Sequence, residues 1–271
     1  MEPLLPPEGD VLATHAATLS RRVSAALFLI APGLLAGALA FVSDGANADA
    51  RAPLAAVSAL LIALGAAAIA QQNKSKAIVR ADGIERWGLR GKLWALRWNE
   101  MSELHYRVLK IRLGGLLGLL LPALSTNVHL RFTDPNGRKS ALPVNLKAMD
   151  VLAERVIEQQ TTAHFASARN RLDGGEELCF GKSIALDKEK IYTRKFFGGM
   201  KSCPLVEVEK VSVESGTLRI RQKGKTFAFA RVMAGTIPNV HLLLRLLDGM
   251  LGEKSAMMRE RDFAASAYVH G

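Results

Sequence analysis

The sequence predicts an α+β membrane protein, with an N-terminal transmembrane helical hairpin followed by two strand-rich units, each closed by a helix. Three observations lead there. Residues 23–42 and 52–70 form two apolar runs without a single Asp, Glu, Lys, Arg or His. After residue 71 the chain becomes charged and alternates in the manner of strands. The order of turns and strands in that region then recurs, so that residues 84–106 can be laid on 191–213 without a gap.

Residues 1–22 carry Pro3, Pro6 and Pro7 with few large apolar side chains and read as a loosely held polar tail. A helix crosses the hydrocarbon core with roughly 20 apolar residues at about 1.5 Å each, and both runs have that length. The competing reading is a pair of buried helices in a soluble core. Arg21 and Arg22 precede the hairpin, and Lys74, Lys76 and Arg80 follow it. The link between the runs holds Arg51 against Asp44 and Asp49. The positive-inside rule therefore puts both termini in the cytoplasm and the link outside, in an inner membrane. A cleaved signal fits less well, because a second run follows the first. Gly33 and Gly37 have the spacing that lets helix backbones approach, either between the two helices or in a homo-oligomer; Ala55, Ala59 and Ala63 offer a matching stripe.

The remainder divides into a first strand-rich unit at 72–170, a second at 171–254 and a polar C-terminal tail at 255–271. In the first, strands are expected at 77–80, 84–87, 92–98 and 101–111. A hairpin follows, turning at Asp134-Pro135-Asn136-Gly137. Asn145 then caps a helix whose buried face is Leu146, Met149, Leu152, Ala153 and Val156. The second runs through strands to a hairpin at Lys223-Gly224. Its helix is capped by Thr236, holds Pro238 in its first turn and stops at Gly252.

The two halves match in pattern: Gly91 falls on Gly198, Trp98 on Leu205, and Glu100 on Glu207. Each resembles the pleckstrin-homology-like (PH-like) domains of bacterial membrane proteins that are largely without assigned function. The resemblance rests on Ala77-Ile78-Val79-Arg80-Ala81-Asp82-Gly83-Ile84, on Trp98-Asn99-Glu100-Met101 and its second copy Leu205-Val206-Glu207-Val208, and on Gly235-Thr236-Ile237-Pro238-Asn239. It implies a small, bent β-barrel or sandwich closed by a C-terminal helix. No particular activity comes with it.

The chain has a net charge of +11, and the part after residue 70 alone carries 33 basic and 20 acidic residues. Anionic lipid is the natural partner for a basic domain tied to a membrane; nucleic acid is the weaker candidate, and a well-solvated surface needs no partner. Arg219, Arg221, Lys223 and Lys225 form the densest cluster. Lys188, Lys190, Arg194 and Lys195 occupy the place where the resemblance implies headgroup binding, since eukaryotic relatives of the fold hold phosphoinositides through basic residues on the early strands and their loop. The leucines of the 113–124 insertion (Leu116, Leu117, Leu119, Leu120 and Leu121) belong either in a core or in the membrane interface.

Cys179 and Cys203 lack metal spacing, the six histidines are scattered, and no phosphate loop or nucleophile elbow is present. No catalytic residue, cofactor or metal is expected. The sequence thus favours a non-enzymatic module that binds anionic headgroups or a protein partner. The alternative is a membrane-bound enzyme or regulator with a site between its two domains.

Overall fold

In a computed structural model the protein is described over residues 7–17, 26–42, 48–110, 126–143, 146–194 and 199–252. Strand β1 (Val11–Ala16) comes first, ahead of the helices. It pairs antiparallel with β2 (Lys76–Arg80), setting Val11 opposite Arg80 and Ala16 opposite Lys76. The stretch expected to be a loose tail is thus an edge strand. His15 is buried within it and donates from Nδ1 to the Lys147 carbonyl, 2.9 Å away.

Between these paired strands lies the helical insertion. A π turn (Ala26–Ile30) leads into α1 (Ala31–Val42), and α2 (Ala48–Lys74) returns. The Ser58 hydroxyl donates to the Gly33 carbonyl at 2.7 Å, and a Cβ on Gly37 would stand 2.8 Å from Ser58 Oγ. Gly33 and Gly37 therefore pack α1 on α2. The α2 partners are Ser58, Leu61, Ile62 and Gly65, residues three to four apart on one face. The expected stripe of Ala55, Ala59 and Ala63 is exposed instead. Leu34, Leu35, Leu39, Val57, Leu60 and Leu64 also face outward. By length and composition, α2 is the one described helix able to cross a membrane, and only 11% of its stretch Ala52–Gln71 is buried.

After α2 come β2, β3 (Gly83–Gly88) and β4 (Gly91–Arg97), then a 3-10 turn (Trp98–Glu100). Next are β5 (Glu103–Lys110), β6 (Thr126–Thr133), β7 (Lys139–Ala141) and helix α3 (Met149–Asp173). The pattern then starts again with β8 (Leu178–Phe180), β9 (Ile184–Leu186), β10 (Lys190–Arg194) and β11 (Met200–Pro204). A second 3-10 turn (Leu205–Glu207) precedes β12 (Val208–Glu214), β13 (Thr217–Gln222), β14 (Ala228–Met233) and α4 (Val240–Leu251). The strand orders are β1-β2-β3-β4, β5-β6-β7, β8-β9-β10-β11 and β12-β13-β14. Each repeat is thus four strands, a 3-10 turn, three strands and a helix. The sheets are four separate antiparallel sheets; they do not form a closed barrel. Strand β12 begins only at Val208, because Leu205–Glu207 turns.

Among the described residues the chain forms two compact units. One takes 7–17, 26–42, 48–95, 143 and 146–149; the other takes 96–110, 126–142, 150–194 and 199–252. The expected border at 170/171 falls in the last turn of α3. In the first unit Glu85 is only 2% exposed. It receives Trp87 Nε1 at 3.0 Å and Lys92 Nζ at 3.3 Å, with Arg80 Nε at 3.5 Å. Desolvation opposes its charge, but these hydrogen bonds and cations outweigh that and hold the carboxyl below its usual range.

The second unit holds the core shared by β8–β14 and α4, where Ile191, Val211, Leu218, Ile220, Leu243 and Leu246 are fully buried. Leu152, Ala153 and Val156 of α3 are buried as their spacing requires. Asn145, expected to cap this helix, lies outside the described residues. Helix α4 begins at Val240 with Asn239 at its N-cap, so Pro238 precedes the helix; Thr236 bonds the Met233 carbonyl and caps nothing in α4. Asn239 sits in the left-handed region at φ 53°. Its N–H donates to Leu104 O (2.8 Å), its Oδ1 accepts from Leu104 N (2.7 Å) and Gln160 Nε2 (3.1 Å), and its Nδ2 donates to Ser102 O (2.8 Å). One residue thereby closes the free edge of β5. Next to it, His241 is buried edge-on to Tyr106, with ring centroids 5.9 Å apart, and desolvation pushes its pKa down to about 4.

Candidate functional site

The basic residues become surfaces through strand alternation and register. In sheet β12-β13-β14, Val211, Val213, Leu218 and Ile220 turn inward and are buried, so Lys210, Arg219 and Arg221 turn outward. Pairing sets Lys210 opposite Arg221, and Arg219 opposite Arg231. Glu214 takes Arg219 at 2.7 Å, while Arg221 and Arg231 are exposed. Like charges directly opposite one another destabilise a sheet.

The first three-stranded sheet has the same arrangement. Leu104, Val128, Leu130 and Phe132 are buried, and on the other face His105 stands opposite Arg131, and Arg107 opposite His129. Glu103 Oε2 lies 3.5 Å from His105 Nε2. The imidazole of His129 is held below its usual range, first by desolvation and then by the Arg131 and Arg107 charges. Sequence reasoning found Arg219 and Arg221 but not Lys210 or Arg231, nor the four residues of the first sheet. Register alone brings them together, and no local run of charge announces it.

Lys188, Lys190 and Lys223 meet elsewhere, around an open groove of about 820 Å³ beside the end of α4, with Arg169, Glu189 and Glu209 also on its wall. The turn carrying the first two lysines is rigid. Asp187 Oδ1 accepts from the N–H groups of Glu189 (2.7 Å) and Lys190 (2.6 Å), and Oδ2 from the Tyr192 hydroxyl (2.6 Å). Burial opposes the Asp187 charge, but these donors prevail and keep its carboxyl below the usual range; the same bond pushes the Tyr192 pKa up to about 12. Lys223 Nζ is held by the Val206 carbonyl at 2.7 Å. The groove mixes acids with bases over an apolar floor and is less cationic than the face of β12-β13-β14. Lys225 and Arg194 are exposed outside both places. Lys195 and the leucines of 113–124 lie outside the described residues.

A cleft of about 400 Å³ gathers Ser102, His164, Ser167, Glu177 and Cys179. His164 Nε2 donates to the Trp98 carbonyl at 2.8 Å, which fixes the orientation of its ring. Desolvation, followed by the Glu177 charge and hydrogen bond, pushes the Cys179 thiol up, whereas a reactive cysteine needs its thiolate favoured. Among the described residues no three His, Cys, Asp or Glu side chains are grouped to hold a metal ion.

A family model matches residues 9–255, from just ahead of β1 to just beyond α4. The chain belongs to DUF6585, a family of unknown function. The match spans the helical insertion and both repeats. No curated protein matches the chain.

Proposed function

We propose that this DUF6585 member is an integral inner-membrane protein that binds anionic lipid headgroups without catalysis. In this reading α2 and the apolar run 23–42 that contains α1 cross the bilayer as a hairpin with both termini cytoplasmic, and each repeat is a PH-like module. The hairpin is supported by its inside-out packing, with glycines and a satisfied serine between the helices and leucines outside.

The observation that carries the binding role is the pair of cationic sheet faces. In one sheet Arg107 and Arg131 stand opposite His129 and His105, and in the other Lys210–Arg221 and Arg219–Arg231 are cross-strand like-charge pairs. Such pairing costs stability that a layer of phosphate-bearing headgroups returns. Each basic residue near an anionic surface contributes about 1 kcal/mol, within a screening length of roughly 10 Å.

Full chain held in neutral nanodiscs should co-float with vesicles containing phosphatidylglycerol but not with phosphatidylcholine vesicles, and salt should weaken the binding. Arg221→Glu with Arg231→Glu should remove most of it. A folded double variant that floats like the wild type would refute the assignment to this face.

A further inference from the structure

We infer that the β3–β4 turn of the first unit is a wedge that inserts into the membrane interface beside the helical hairpin. The inference rests on the hairpin reading above and goes beyond it by assigning a second lipid contact to named residues of a different element.

Chain geometry limits where this turn can be. Only Ser75 separates the end of α2 from the start of β2. From Gln71, where the apolar stretch ends, to Lys76 the chain spans at most about 11 Å, counting helical and extended rises. Strand β3 runs antiparallel to β2 and ends where β2 begins, with Trp87 opposite Lys76. It also lies against α2. The turn after it, two residues on, can reach back by a further 7 Å or so at about 3.3 Å per residue. The headgroup layer is roughly 5–7 Å deep on each side of the hydrocarbon, so the tip falls at its level.

The residues at this tip suit that level. Leu89 on the turn and Leu93 near the start of β4 are 54% and 56% exposed. Leu93 lies over Gly88, where an added Cβ would come within 2.9 Å of it, so the close strand approach holds the leucine in place. Lys76 Nζ sits 5.1 Å from the centre of the Trp87 ring. Arg90 and Lys92 are exposed between the leucines. Leucines at a tip flanked by tryptophan, lysine and arginine form the side-chain set of an interfacial segment. In water the same tip would leave two large apolar side chains uncovered beside a helix end already at the bilayer.

Depth-resolved quenching tests the inference in the full chain, reconstituted in vesicles of phosphatidylcholine and phosphatidylglycerol. Cys179→Ser removes the exposed thiol, and Cys203 is buried. A fluorophore is then placed at Leu89→Cys, or at Leu93→Cys as an independent variant. Leu60→Cys in α2 and Ala81→Cys in the β2–β3 turn, at the far end of the same ladder, serve as references. The fluorophore at 89 or 93 should be quenched more strongly by lipids bearing a nitroxide near the headgroup than by iodide, with the order reversed at 81. Position 60 should respond to nitroxides deep in the chains. Quenching at 60 with iodide-accessible 89 and 93 would overturn the wedge and leave the hairpin standing. Loss of deep quenching at 60 would instead remove the hairpin and, with it, this inference.

Discussion

Replacing Asn239 should destabilise the second unit more than any other single polar substitution on β5 or α4. In Asn239→Ala, the Leu104 N–H loses its 2.7 Å acceptor in a residue only 3% exposed, which costs about 2 kcal/mol for an unsatisfied buried donor. Gln160, 1% exposed, loses a further bond of about 1 kcal/mol. Alanine at φ 53° adds about 1 kcal/mol. The bond to the Ser102 carbonyl is exposed, and water replaces it. The loss is therefore about 4 kcal/mol, or roughly 8–16 °C in Tm at about 2–4 °C per kcal/mol for a chain of this size. Asn239→Gly spares the backbone cost, and Asn239→Asp keeps the acceptor, so the order of damage should be Ala, Gly, Asp. Thermal unfolding of the full chain in neutral detergent, followed by tryptophan emission, measures it. An alanine variant within 1 kcal/mol of wild type, or an aspartate variant worse than alanine, would refute the reasoning.

Two further outcomes follow from described geometry. Because burial lowers the His241 pKa to about 4 from an ordinary value near 6.5, its contribution is complete above pH 6.5 and drains away as pH falls towards 4. The loss is on the order of 3 kcal/mol at 1.36 kcal/mol per unit, and His241→Phe should flatten that part of the pH–stability curve; an unchanged slope would sink the assignment. Ala17 N donates to Ser75 O at 3.1 Å, so replacing residues 18–74 by Asn-Gly should close β1 onto β2 as a tight hairpin. That chain should be folded and soluble without detergent, whereas deleting 1–74 should expose β2 and aggregate. Equal behaviour of the two would show that β1 contributes nothing.

Much of the repeat was legible because turn residues and inward-facing residues recur at a constant offset: the 3-10 turns Trp98–Glu100 and Leu205–Glu207 lie where the overlay of 84–106 on 191–213 sets them. Strand β1 was not, because Val11–Ala16 alternates only weakly and its partner lies beyond the entire helical insertion. The cap of α4 was misread for a related reason. Thr236 carries the local capping signal, yet Asn239 is recruited by β5, 135 residues away in sequence. The candidate site shows the same division. Alternation along β13 exposes Arg219 and Arg221 in any register, whereas Lys210 and Arg231 join them only through pairing. The α1–α2 seam was half legible: glycine spacing marked α1, but the facing side of α2 depends on helix phase, which selects Ser58 over Ala59.

The place of the helical insertion has a mechanical consequence. Both of its arms enter the sheet at one end of one ladder, where Ala16 pairs with Lys76, and β1 is the outermost strand. A force that spreads the helices sideways therefore meets the β1–β2 bonds one at a time, as a zipper does, and never as a set sharing the load. Peeling starts at Ala16–Lys76 and runs towards Val11–Arg80, so sideways stress on the helices is converted into stepwise release of an edge strand. Pulling single molecules apart at positions 17 and 75, on either side of the open end of the ladder, should show this as an early, low-force extension preceding rupture of either core. A joint of this kind yields gradually where a sheared ladder would hold and then break.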